Sequence, residues 1–237
     1  VLYWRLKPLP TCSDSKKNQN ELNVDCGGPC EPCELKHPKG VTVLWARTVS
    51  VSPGAYDAVA YIKNPNEILA SNSFEYRFSL FDERGLVAER SGTTYLYPQE
   101  KTYIVEAGIP AERPPTRVEF AVVRAEWLIH KESPPGILVR GKEYRIERET
   151  ARVFRGIVEA DLFNDTPFDV RSVDVHFLLF DKDDNLIGAN TTLVEQFMAD
   201  TDRNVRTVWP EAIPGIVTSI IVEPRVNVFS PTWLIEP

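Results

Sequence analysis

Apolar runs of eighteen or more residues are missing from this 237-residue chain, so nothing in it is long enough to cross a bilayer as a helix. Clusters of Lys and Arg are missing too, and the formal net charge is −7. Without a basic surface there is nothing to neutralise phosphates, so no nucleic-acid partner is expected. Histidine is scarce: His37, His130 and His176 are the full set. His176 lies on the polar face of a strand-like run and is expected to be solvated; the other two fall in polar connections. No Gly-x-Ser-x-Gly, Walker-type loop, Gly-x-Gly-x-x-Gly or His-Glu-x-x-His pattern occurs. The expectation is a protein that is not an enzyme. An apolar period of 3.6 never persists for three turns, which excludes long amphipathic helices. Beyond residue 33 there is no cysteine at all.

What the chain does have is 43% hydrophobic residues, enough for packed cores, and a pattern stated twice. Phe78-Ser79-Leu80-Phe81-Asp82 in the first half matches Phe177-Leu178-Leu179-Phe180-Asp181 in the second. A polar turn follows each, Glu83-Arg84-Gly85 and then Lys182-Asp183-Asp184-Asn185. Each is preceded, at matching distance, by a short run ending in Asn: Ala60-Tyr61-Ile62-Lys63-Asn64 and Ala160-Asp161-Leu162-Phe163-Asn164. The repeat of roughly 100 residues is too long for a solenoid unit and suits one small sandwich domain.

Within each copy, apolar and polar residues alternate. Phe74, Tyr76, Phe78 and Leu80 form one face, with Glu75, Arg77 and Ser79 opposite. Val173, Val175, Phe177 and Leu179 repeat the apolar face, and Asp174 and His176 the polar one. A period of two is the mark of a strand with one buried face. Val41, Val43 and Trp45 alternate in the same way. About seven short strands per copy, with turn signals between, predict an all-β chain of two tandem antiparallel sandwiches. Ser133-Pro134-Pro135-Gly136 reads as a short, stiff hinge. The expected segments are a membrane-proximal stub (1–10), a cysteine-rich segment (11–36), a first sandwich (37–132) and a second sandwich with a C-terminal tail (133–237).

Cys12, Cys26, Cys30 and Cys33 fall in a segment with too few apolar residues to bury a core. Something covalent or metallic must order it. Two disulfides would do so, each contributing on the order of 3 kcal/mol. Zinc is the alternative, but only Cys30 and Cys33 have knuckle spacing. Three disulfide pairings are open. Asp14, Asn18, Asn20, Glu21 and Asp25 lie between the first two cysteines and make Ca²⁺ a candidate ligand, although the spacing is not that of an EF-hand. The competing reading is turn chemistry, in which Asp and Asn bond their own backbone.

The run through Val24-Asp25-Cys26-Gly27-Gly28-Pro29-Cys30-Glu31-Pro32-Cys33 resembles a cysteine-rich motif of secreted and surface-anchored proteins, with Ser15 where a Gly often stands. That resemblance implies an oxidising, extracytoplasmic location. The Phe-x-Leu-Phe-Asp pair, with Asn64 and Asn164 before it, is similar to the FxLYD-type immunoglobulin-like family; Phe81 and Phe180 replace its Tyr. The resemblance implies immunoglobulin-like sandwiches in an envelope or membrane-linked protein.

Val1-Leu2-Tyr3-Trp4-Arg5-Leu6-Lys7 looks like the exit end of a membrane helix, so a membrane anchor upstream of this chain is expected. Asn164-Asp165-Thr166 and Asn190-Thr191-Thr192 fit the N-glycosylation pattern, which matters in a eukaryotic secretory host. Among the five tryptophans, Trp233 in the C-terminal tail is the candidate for contact with another chain or domain. The functional expectation is a membrane-anchored, extracytoplasmic protein presenting tandem domains to a protein or an envelope polymer. The alternatives are a calcium-dependent adhesion module and an enzyme-accessory domain.

Overall fold

Aromatic and β-branched residues alternate with charges over most of the chain, and these runs fold as strands. The computed structural model describes residues 11–150 and 154–235; the expected membrane-exit stub lies outside them. The first six strands are β1 (Thr42–Ser52), β2 (Ala55–Lys63), β3 (Leu69–Asp82), β4 (Gly85–Leu96), β5 (Lys101–Pro110) and β6 (Arg117–Ile129). The next six are β7 (Ile137–Arg148), β8 (Phe154–Asn164), β9 (Val170–Phe180), β10 (Leu186–Phe197), β11 (Asp202–Trp209) and β12 (Ser219–Arg225). A single helical turn, α1 (Cys33–Lys36), ends the cysteine segment.

All pairings between these strands are antiparallel, and they form four three-stranded sheets. The orders are β1-β2-β5 and β4-β3-β6 in the first half, then β7-β8-β11 and β10-β9-β12 in the second. The order is thus the same in both halves. In the first half Ala58, Ala60 and Ile62 of β2 face Phe74, Phe78 and Leu80 of β3 across one core. In the second, Val158, Ala160 and Leu162 of β8 face Val173, Val175, Phe177 and Leu179 of β9, with Trp209 beneath them. Trp209 is buried, and its indole N–H donates to the Ala189 carbonyl at 3.1 Å. That pairing lets so large a side chain be buried without stranding its polar atom.

A third apolar cluster joins the halves. Val59 of β2 meets Leu178 and Phe180 of β9 and Leu186 and Ala189 of β10, with Trp45, Tyr103 and Val105 around them. Sheet β1-β2-β5 therefore lies on sheet β10-β9-β12, and the chain is a stack of four sheets. The two central strands, β2 and β9, are buried on both faces. This is why Phe177-Leu178-Leu179-Phe180 reads as an unbroken apolar run rather than an alternating one.

Two details depart from simple alternation. A register shift between Val43 and Trp45 turns Ala46 to the first core and Trp45 to the second half. One extra residue in a strand has this effect, because the side-chain period is two. His176, expected on a solvated face, is buried, because the first half covers that face.

The run-ending asparagines are the same device twice. Asn64, fully buried, donates from Nδ2 to the carbonyls of Leu69 and Tyr97, and its Oδ1 accepts from the Asn66 N–H. Asn164, also fully buried, donates to the carbonyls of Phe168, Phe197 and Met198, and its Oδ1 accepts from the Thr166 N–H and hydroxyl. Each ties the end of one strand to a chain crossing from the opposite sheet. The motif's Asp works the turn that follows: Asp82 accepts from the Arg84 N–H, and Asp181 from the N–H groups of Asp183 and Asn185. Such side-chain caps are what makes Asp a turn residue.

Candidate functional site at the seam and the tail cleft

Most of the candidate residues lie in the cysteine segment. Cys12 pairs with Cys30 and Cys26 with Cys33, so all four sulfurs are in disulfides, which form and persist in oxidising compartments. The oxygen-bearing side chains serve the loop itself. Asp14 accepts from the Lys16 N–H and from Asn18 Nδ2, at 2.9 and 2.7 Å. Those bonds hold its carboxyl below the ordinary range, the Asn18 amide most of all. Asp25 accepts from the Ser15 N–H with both oxygens at 3.0 Å. Glu21, buried, accepts from the N–H groups of Asn18 and Asp25. Asn20 sits in the left-handed region at φ 68, a turn position.

Among the described residues the one grouping of three metal-ligating side chains is Cys12, Glu21 and Cys30, and two of its members share a disulfide. Cys30 Sγ lies 3.3 Å from Glu21 Oε1, a contact without a proton, since a disulfide sulfur carries none. The segment is docked on the first half. Glu34 accepts from the N–H groups of Glu67 and Ile68, and Lys39 and Asn66 exchange two bonds of 2.8 and 2.9 Å.

The densest polar chemistry lies at the seam between the halves. Arg225 of β12, buried, donates to the Tyr95 carbonyl at 2.9 Å and to Glu100 at 3.3 Å, and its guanidinium lies 4.4 Å over the Tyr95 ring. Burial pushes the Glu100 carboxyl up, while Arg225 pulls it down. Glu223 Oε2 accepts from the Thr102 hydroxyl and the Tyr103 N–H, at 3.1 and 3.2 Å, and faces His176 Nδ1 at 3.2 Å. The Tyr97 hydroxyl donates to the Val226 carbonyl at 2.8 Å. Asp57, on the same side of β2, accepts from the Gly108 N–H at 2.8 Å, and burial pushes its carboxyl up to about 7. These groups join one half to the other; they do not converge on an open cavity.

Trp233 stands in a different place. The tail is pinned to β9 by the Arg171 N–H donating to the Trp233 carbonyl at 2.8 Å and the Ile235 N–H to the Asp169 carbonyl at 2.9 Å. The Trp233 and Phe168 rings meet edge to face, with centroids 5.8 Å apart. Together with Pro135, Pro167 and Val228 they line an apolar cleft of about 410 Å³ between the 130–136 connection, the β8–β9 loop and the tail. His130, Glu132 and Asp165 also line it. His130, expected in a polar connection, has its ring against Tyr97 and Phe229, at 5.6 and 5.1 Å.

No protein-family model matches the chain, and no curated protein matches it. The seam was the part the sequence reading missed, although a signal was there. Leu178 and Phe180 are apolar on the face assigned to His176, and Val59, Tyr61, Tyr103 and Val105 are apolar on the face of β2 and β5 that should have been wet. The glycosylation patterns also separate. Asn164 is fully buried and bonded, whereas Asn190 is half-buried, donating to the Val208 carbonyl and accepting from the Thr191 N–H.

Proposed function

We propose that this protein is a non-enzymatic, extracytoplasmic binding scaffold. Two tandem immunoglobulin-like sandwiches, fused into one rigid body, stand on a disulfide-stapled neck tethered to a membrane by a preceding segment. They present their outer surfaces to a partner protein or an envelope polymer. One observation carries this reading: the buried Arg225 and His176, with the half-buried carboxylates Glu100 and Glu223, are engaged in joining the halves, which is how a chain builds a fixed shape. A catalytic site needs the reverse arrangement, with such groups converging where a substrate can sit.

Further support comes from the repeat. Sheet order, the Asn64 and Asn164 ties and the Asp82 and Asp181 turn caps recur in both halves, as a duplicated immunoglobulin-like module would require. The likeness to the FxLYD-type family gains a physical meaning as well. In each copy the second Phe of the motif points out of its own core. Phe81 lies under the Arg117 guanidinium at 4.3 Å, and Phe180 packs on the other half against Trp45.

The test is cellular. The protein expressed from its full reading frame is expected to pellet with membranes, to resist thiol labelling until reduced, and to bring a partner through detergent extraction. A soluble, thiol-reactive, partner-free protein in the cytosolic fraction would reject the proposal.

A further inference from the structure

We propose that the tail cleft takes an arginine side chain from a partner polypeptide; this deepens the scaffold reading and rests on it. The walls are suited to a flat cation. Trp233 and Phe168 stand edge to face at 5.8 Å, both partly exposed, and aromatic faces attract cations. The carboxylates on the lining have the matching charge. Glu132, whose side chain is 87% exposed, and Asp165, also exposed, border the cleft from the connection and from the β8–β9 loop. Arg171, beside the tail, is turned to the carbonyls of Thr232 and Leu234, at 2.7 and 3.4 Å. The His130 Nδ1 faces Glu132 at 3.6 Å.

The shape favours arginine on a chain over a free cation. About 410 Å³ is near the lower end of the range for sites that enclose a ligand, room for one long side chain and the backbone beside it. Pro135 and Pro167 form apolar lips on which the residues flanking that side chain can lie. Within polypeptides, arginine fits better than lysine: a planar guanidinium stacks on an indole and offers a fork of donors to two carboxylates, whereas an ammonium is a point charge.

The experiment uses the full chain, ¹⁵N-labelled, with the Trp233 indole resonance identified by its loss in Trp233→Phe. Three probes are titrated: acetyl-Pro-Arg-Pro-methylamide, the same peptide with citrulline, and agmatine. The arginine peptide is expected to shift the resonance saturably, with the uncharged citrulline peptide about tenfold weaker or more. Agmatine should also be weaker than the arginine peptide, because it lacks the flanking chain. Glu132→Gln with Asp165→Asn, both at exposed positions, should weaken the arginine peptide to the level of the citrulline one and leave the melting temperature in place. No shift, equal citrulline binding, or an unaffected double variant would overturn the proposal; agmatine as tight as the peptide would overturn its polypeptide source. Membrane fractionation and co-purification are read on separate samples. Loss of arginine recognition with co-purification intact removes this inference and leaves the scaffold.

Discussion

Asp57 is a carboxylate held where water scarcely reaches: 2% of the residue is exposed, and its Oδ2 has no hydrogen-bond partner. Burial raises its pKa from the ordinary 3.8 to about 7. The folded chain therefore holds this proton more tightly than the unfolded chain does. The linked stability is fully present below pH 4, falls as pH rises through the interval, and is lost above 7. Glu100 works in the same direction, since burial raises it as well. The expected outcome is a urea midpoint that drops between pH 5 and pH 8, by a few kcal/mol of unfolding free energy in all. Asp57→Asn should flatten that slope and be at least as stable as the parent at pH 8. A flat parent profile would show that Asp57 ionises freely in the fold. None of this was legible in the sequence, where Asp57 reads as one more polar residue in a turn-to-strand stretch. Its burial depends on a face of the second half that lies more than a hundred residues away.

At the scale of elements, the cysteine segment and the strands are separable in energy. The segment has two cross-links and few apolar contacts, with Leu22 74% exposed and Val24 43% exposed. Each disulfide contributes about 3 kcal/mol or less to its order, and the three apolar cores of the sheets contain no residue of the segment. Mild reduction is therefore expected to open Lys16 and Lys17 to rapid tryptic cleavage while the strand circular dichroism is unchanged. Loss of the β signal on reduction would mean that the segment supports the sheets. Much of this scale was readable beforehand. The period of two placed β3 and β9, and the doubled Phe-x-Leu-Phe-Asp located matching turns, because those signals are local. The pairing of Cys12 with Cys30 was not readable, because it is set by a turn whose residues take left-handed conformations at Ser15, Gln19, Asn20 and Asp25. Nor was the face of Trp45, which one extra residue in β1 reverses.

For the whole molecule, the decisive fact is which faces the two halves use. Leu178 sits at the centre of the seam, fully buried. Leu178→Asp places an unpaired charge there and should cost about 3–5 kcal/mol of the attachment between halves. The expected result in small-angle scattering is a larger radius of gyration with strand content retained, since the two inner cores are built from other residues. A loss of all structure in one step would instead make the halves a single cooperative unit.

The seam is not a symmetric handshake. One half contributes its β1-β2-β5 face and the other its β10-β9-β12 face, so each half keeps the face that its neighbour has used. A contact of that kind does not close on itself and, repeated, makes an endless column. The residues at equivalent ladder positions differ between the seam and the two outer faces. Val59, Tyr61, Tyr103 and Val105 in the first half become Glu159, Asp161, Asn204 and Arg206 in the second. Leu178, Ala189 and Ile221 in the second stand where the first has Ser79, Glu89 and Glu119. The replacements are laced together, Arg145 to Glu159 at 2.7 Å and Arg206 to Glu147 at 2.9 Å on one end, Ser79 to Glu89 at 2.9 Å on the other. Both outer faces thus carry charge where the seam is apolar, and neither offers the carbon surface on which another sheet could stack in the same way.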